Sequence, residues 1–500
     1  MYVVWAGSLD RLTILGKLRS VILRAVRYRY MVQHNMSHRT MPCLTRIVTV
    51  QLVLFSLAHL SAVRVDSIGK FTIWCADNGI VGLQPSGPIS VAATPGSGLG
   101  LFAADNVGVG KEILRIPARL AIADRLLIGI DGKAPKAPFD GAPWQATLAH
   151  RLAVADTAWT EMLPLGVQGL EGPGEDLQYK PAIAAHETIR TERSELAARL
   201  AACGPADAAT YERGVSYAHT RAFLLELIPD DAFAACHAFV PAADLFNHAA
   251  YAESAVEWCL EGGGGDGNPL SIVFSTRRPV SKGEELSLCY EPSATNDDFC
   301  LYHGFVPAAN PCDDVELFAG VDDAIRWHRE AFESEPSEEA AAAAAMLGAM
   351  PPMDGSVHMR RVGVASGGPL GESLWIRADE IDARLLGVFR VLAAEVKSPR
   401  DDDDDPAKHA ATALVRRCDE LLASWPTSLE SDLALLNCAP SEVNAAISVD
   451  WEGAPSKDDD AARAIADGAG AGESVAVRYR AGKKLVLRAA SAWVRERWGV

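Results

Sequence analysis

The ten cysteines contain no C-x-x-C pair. That argues against a zinc ribbon or finger and against a thioredoxin-like couple. They are scattered from Cys43 to Cys438 and give no disulfide framework, so the body is expected to work in a reducing compartment. No segment recurs at a spacing of 20–50 residues, which excludes a solenoid or propeller. With 41 Gly and 28 Pro in 500 residues, neither amino acid is abundant enough for a collagen-like or Pro-rich chain. The hydrophobic share is 49%, so a buried core is affordable and the length suggests two to four units.

Positive charge is also scarce. The chain carries 47 Lys/Arg against 65 Asp/Glu, a net of −18, and the imbalance is uneven. Residues 1–65 hold nine Lys/Arg against Asp10 alone, a net of +8, so the remainder carries −26. An acidic body repels phosphate backbones, which excludes nucleic acid as a first expectation and favours a protein partner. Residues 1–65 read as a targeting leader, removed or disordered, with Arg19, Arg24, Arg27 and Arg29 among apolar residues as in a plastid transit peptide. Within it, Met41–Ala62 has the form of a signal peptide. A misplaced start in the gene, with a cytoplasmic product, stays open beside both. The apolar run from Ile47 to Val63 is too short and too polar for stable membrane insertion.

The body alternates short strand patterns with helical stretches. The segment from Phe71 to Gly79 reads as a helix ending at a glycine. Ile89–Ala93 and the Glu112–Pro117 part of Val107–Pro117 read as strands, with Gly110-Lys111 as a turn. Gly98-Leu99-Gly100-Leu101-Phe102-Ala103 fits G-x-G-x-x-A, a dinucleotide fingerprint, but Asp105–Gly110 breaks the helix that a Rossmann unit needs. The glycines more readily let a ligand lie against bare backbone. Residues 120–235 are mostly helical in pattern, including a helix over Val215–Ile228. Ala255–Cys259 and Leu270–Phe274 form a hairpin with a glycine-rich tip. From Val315 onward helix dominates, with apolar faces through Ile381, Leu385, Phe389, Leu392 and Val396, through Leu414, Cys418, Leu421, Leu422 and Trp425, and from Leu485 to Trp498. Acidic or small-residue stretches near 399–406 and 456–472 read as solvated loops.

Five pieces in sequence order resemble the SET-domain protein methyltransferases, in the branch of the Rubisco large-subunit lysine methyltransferase. They are Gly98-Leu-Gly100-Leu, Thr220-Arg-Ala-Phe223, Asp244-Leu-Phe-Asn-His248, Lys282 to Tyr290, and Asn296 to Phe305. Trp425-Pro-Thr-Ser-Leu-Glu-Ser-Asp432 resembles a run in that branch's substrate-binding domain. The resemblance implies an α+β chain: a SET-type β fold over 66–315 with a helical insertion at about 120–235, then an all-α domain over 316–500 that docks the substrate or only braces the SET unit.

It further implies methyl transfer from S-adenosylmethionine to a side-chain amine, most readily lysine, on a protein bound by a monomeric enzyme without metal. Ser97, Gly98, Leu99 and Gly100 would admit the cofactor along bare backbone, and Asn247, His248 and Tyr290 would hold it. Arg221 either pairs the cofactor carboxylate or serves Asp244. Tyr290 is the expected catalytic residue, with Phe223, Asp244 and His303 at the substrate. His303 departs from the branch's pattern, which has Tyr there, while Phe223 favours lysine over histidine. A SET-like binding module without activity is the rival reading.

Overall fold

A computed structural model describes residues 68–84, 86–94, 98–125, 136–155, 174–226, 235–263, 269–307, 310, 312–350, 373–377, 381–393, 405–436 and 474–500. The leader, the loop 456–472 and most of 399–406 lie outside the described residues, as do Ser97, Val396 and Cys438. Phe71–Val500 form one compact unit.

That unit opens with a helix over 71–77, closed by Gly79 at φ 82°. A hairpin follows, β1 (Ile89–Thr94) against β2 (Gly98–Ala103), paired from Thr94↔Gly98 to Ile89↔Ala103. The G-x-G-x-x-A run is therefore strand throughout, and no Rossmann helix opens from it. The main sheet has β3 (Glu112–Pro117), β9 (Ser271–Thr276), β8 (Val256–Glu261), β10 (Ser287–Leu288) and β7 (Asn247–His248) side by side in that order. β8 shows period-two burial, as a strand with one covered face must, whereas the central β9 is buried at nearly every position. The last pair is parallel, Ser287 facing Asn247 and Leu288 facing His248.

Residues 120–235 are helical over α1 (Trp144–Val154), α2 (Lys180–Cys203) and α3 (Ala208–Arg221). The expected helix over Val215–Ile228 stops at Arg221. The chain turns there into β5 (Ala222–Glu226), which pairs antiparallel with β6 (Ala235–Phe239), and β6 also pairs with β4 (Ile122–Ala123). A short apolar run such as Phe223-Leu-Leu225 suits either helix or strand, and here the antiparallel partner decides. Gly214 lets α3 lie against α1, since an added Cβ would come within 2.9 Å of the Ala149 Cβ.

Two cores result. One gathers β1–β3, β8–β9 and residues such as Phe239, Phe246 and Phe274. The other holds Cys300, Leu301, Val315, Leu317 and Phe318 with the apolar faces expected on the C-terminal helices. The start of α2, from Ala182 to Ile189, packs in this second core, whereas Ala197 and Leu200 pack with Tyr211 and Val215. The C-terminal region is helical: α4 (Val321–Phe332), α5 (Glu338–Gly348), α6 (Ala383–Ala393), α7 (Pro406–Ser424), α8 (Leu429–Leu435) and α9 (Ser474–Trp498). It also carries a two-stranded pair, β11 (Asp314–Phe318) with β12 (Leu374–Arg377). Among the described residues no helix is long and apolar enough to cross a membrane.

The Trp425–Asp432 run has an inward role. Asp432 is fully buried and accepts from Arg480 Nε at 2.7 Å and Lys484 Nζ at 2.5 Å. Thr427 adds its hydroxyl and carbonyl to Lys484 at 2.9 and 2.7 Å, and Trp425 stacks on Tyr179. A carboxylate serving two buried cations cannot be removed cheaply. Asp432→Ala should cost about 3–5 kcal/mol in denaturant unfolding; a loss below about 1 kcal/mol, the range of an exposed pair, would contradict this role.

Candidate active site

Three chain-distant segments meet at one side-chain amide. Asn247, on β7, donates through Nδ2 to Glu285 Oε1 at 2.7 Å, to the Leu99 carbonyl at 3.3 Å and to Thr94 Oγ1 at 3.4 Å. Thr94 also donates to Glu285 Oε1, at 2.7 Å. Gly100 lies directly under this knot. A methyl there would sit 2.5 Å from Thr94 Oγ1 and 2.9 Å from Asn247 Nδ2, and closer still to Glu285 Oε1. Gly98 has φ 90°, where side chains are strained, and nothing within 4 Å of an added Cβ. The backbone of β2 is thus bare on one stretch and tightly bound on the next. The strand preceding β10 locks it further: Leu286 donates to the Leu101 carbonyl at 2.8 Å and Ala103 to that of Glu284 at 2.9 Å.

His248 follows Asn247, and the parallel pairing with β10 carries Tyr290 over it. The Tyr290 backbone N–H donates to His248 Nδ1 at 3.3 Å, which assigns the ring proton to Nε2. The Tyr290 hydroxyl donates to the Phe246 carbonyl at 2.7 Å. Around it stand the rings of His248 (centroid 5.2 Å), His303 (5.5 Å) and Phe305 (6.5 Å), with Phe299 behind, 4.4 Å from His248. A π-type turn at Phe299–His303, ended by Gly304 at φ 77°, swings Phe305 back into this group. Tyr290 stays 36% exposed, so one side of the ring wall remains open to a visitor.

Burial governs the charge states here. The Tyr290 ring is partly exposed but its hydroxyl end points inward to the Phe246 carbonyl, and burial of that end pushes the phenol up to about 12 against the opposing pull of Arg221, so the hydroxyl remains protonated in neutral solution. Burial pushes His248 down to about 4, leaving a neutral imidazole. It pushes the Asp244 carboxyl up to about 6, with the Arg221 cation opposing the rise.

Arg221, the last residue of α3, donates through Nη1 to the backbone carbonyl of Asp244. It therefore braces the Ala243–Leu245 turn that leads to Phe246 and Asn247. Its Nε is buried without a hydrogen-bond partner among the described residues. Phe223 stands one layer away: its ring meets Trp258 and Phe274, and Phe274 meets Phe246. Among the described residues no cluster of His, Cys, Asp and Glu is arranged to hold a metal ion. Glu285, Thr94 and Phe299 were not singled out from sequence. Glu284 faces outward to Arg278, so strand alternation through Glu284-Glu285 was the available signal that one of the two turns inward.

Solved structures share this architecture. The chain matches the crystal structure of the SET domain of LSMT bound to lysine and AdoHcy with a TM-score of 0.56 and 15% identity, over 86% of this chain and 91% of that one. The chain has the SET-domain fold. The structure of Rubisco LSMT bound to AdoMet matches with a TM-score of 0.54 and 14% identity, over 86% and 92%. That of Rubisco LSMT bound to sinefungin and monomethyllysine matches at 0.54 and 15%, over the same shares. No family model matches the sequence, and no curated protein matches it. What is shared at this identity is the SET-domain fold.

Two outcomes follow from the site's packing and charge. Gly100→Ala should break the Asn247–Glu285 knot and cost about 1–3 kcal/mol, read by thermal or denaturant unfolding; an unchanged midpoint would contradict the close approach. His248 is held below its unfolded value near 6.5, so its contribution is complete above pH 6.5 and falls away as pH drops toward 4. Asp244 titrates over an overlapping range with the opposite sign. His248→Asn should therefore flatten only the His-dependent loss of stability between pH 6.5 and 4. Parallel stability-against-pH curves for variant and wild type would contradict it.

Proposed function

We propose that the chain transfers a methyl group from S-adenosylmethionine to a side-chain amine of a protein, with lysine as the target, in the manner of the Rubisco large-subunit lysine methyltransferase branch that it resembles. The observation that carries this reading is the convergence of glycine backbone, the Asn247-His248 pair and the Tyr290 phenol around adjoining contacts. The residues suit the cofactor. Gly98 offers unobstructed backbone, Asn247 and the His248 backbone offer polar groups beside it, and Arg221 holds a buried guanidinium nitrogen without a partner among the described residues, suited to a carboxylate. Leu99 continues that edge, and Ser97, expected beside it, lies outside the described residues. When bound, S-adenosylmethionine supplies an electrophilic methyl on a sulfonium.

The protein's task is then placement. A free lysine near pH 7.5 is neutral in only roughly one molecule per thousand. The ring wall of Tyr290, His303, Phe305 and Phe299 would exclude water, favour the neutral amine and face the positive charge with π electrons as the C–N bond forms. Tyr290, held as a neutral phenol by burial, acts as an oriented dipole and not as a base. With its hydroxyl proton committed to the Phe246 carbonyl, its oxygen lone pairs can accept from the amine and aim the nitrogen along the line of attack. Asp244 would lie on the target's side, with Phe223 one layer behind. The net change is one N–C bond formed, one S–C bond broken, and one amine proton released to solvent.

The acidic body suits a basic protein substrate, with neither nucleic acid nor membrane in the reaction, and a monomer suffices. The leader over 1–65 would direct it to a plastid, and the limits 66–315 and 316–500 divide catalysis from bracing and docking. With tritiated S-adenosylmethionine and a lysate of the source organism, wild type should label discrete bands at lysine. Tyr290→Phe should reduce labelling by about 100-fold or more, as expected when an orienting group in the transition state is lost. Labelling that survives Tyr290→Phe, or falls on histidine, would contradict the assignment. Cofactor binding with no labelled band from wild type would favour the inactive binding module.

A further inference from the structure

The ring wall is anchored from the far end of the chain. Helix α9 carries Tyr479, Gly482 and Lys483 at i, i+3 and i+4, hence on one face. Lys483 is fully buried. Its ammonium donates to Asp297, to Asp313 Oδ1 at 2.8 Å and to the Asp314 carbonyl at 2.6 Å. One turn earlier, the Tyr479 hydroxyl donates to the other oxygen of Asp297 at 2.6 Å. Asp313 in turn accepts from both the backbone and the side chain of Asn296, at 3.0 and 2.8 Å. Gly482 permits this approach, because an added Cβ would lie only 3.0 Å from Asn296 Nδ2.

Lys483 and Tyr479 thus hold the turn Asn296–Asp298 directly through Asp297 and indirectly through Asp313, and a capping box from Thr295 to Asp298 also closes it. The next residues are Phe299–His303 and Phe305, three of whose rings stand around Tyr290 and His248. Cys300 and Leu301 seat the other side of this π-type turn in the second core, and a left-handed glycine ends it.

We infer that Lys483, with Tyr479, is a positioning residue that fixes the 299–305 wall against Tyr290, so the C-terminal helix sets the shape of the amine channel. The apolar pattern from Leu485 to Trp498 leaves both residues outside it, whereas the helix starts at Ser474. The consequence for turnover rests on the methyltransferase reading, whereas the mechanical link does not.

Hydrogen exchange by mass spectrometry on the full chain tests the link. Tyr479→Phe removes one bond to a carboxylate without changing charge, and Gly482→Ala inserts a small wedge. Each should speed exchange of the 299–305 amides about tenfold or more, while β8 and β9 change by less than about twofold. For methyl transfer, each should lower kcat about tenfold and leave KM for S-adenosylmethionine within about twofold. Lys483→Met should do the same more severely if it folds; if it does not, the two milder variants decide. Unchanged exchange at 299–305, or equal loosening of β8 and β9, would overturn the inference. A wild type that transfers no methyl would defeat the proposed function, and the exchange data would still judge the link.

Discussion

The Asn247 amide is the point on which the site's geometry depends. Its two protons satisfy acceptors from β2 and from the strand preceding β10, segments separated by about 150 and 40 residues of chain. Nothing larger than glycine fits at position 100 beneath it. Once the amide is seated, β7 and β10 run parallel in register, and Tyr290 is delivered over His248 without further choice. A polar cluster of this kind is stabilising only when every member is satisfied, which makes it a demanding and therefore specific constraint on the fold.

Burial sets the chemistry on one side of this knot and mechanical stiffness on the other. Around Tyr290 it keeps phenol and imidazole uncharged, so the groups that would meet an amine offer dipoles and π faces. Along α9 it does the reverse. Burial alone would strip the proton from Lys483, but Asp297, Asp313 and Asp314 hold the ammonium charged, and their bonds fix a turn next to the ring wall. Asp432 pairs with both Arg480 and Lys484, although burial still leaves Lys484 below its ordinary range. The C-terminal helix is thereby tied to the Asn296–Asp298 turn through charged pairs as well as apolar contact in the second core.

The strands around the site were legible because their signals are local. Ile89–Ala93 alternates, Gly110-Lys111 turns, and the hairpin over 255–274 is bounded by glycine; each appears in the structure close to its expected limits. Other features depend on partners that no local pattern reveals. Phe223-Leu-Leu225 is apolar enough for helix, and only the presence of β6 makes it a strand. Glu285 looks like half of a solvated pair until β2 is laid beside it. Lys483-Lys484 reads as a surface charge run, and it is buried because acids more than 50 residues away turn toward it. Thr427 and Asp432, in the run that resembles one of the branch's substrate-binding domain, face these lysines. Ser97 and the leader fall outside the described residues.

Calorimetric titration of the full chain with S-adenosylhomocysteine tests the central claim most directly. Saturable binding at one site, abolished by Asn247→Ala with the fold retained by circular dichroism, is the predicted result. Absence of binding to wild type, or binding indifferent to Asn247→Ala, would contradict it.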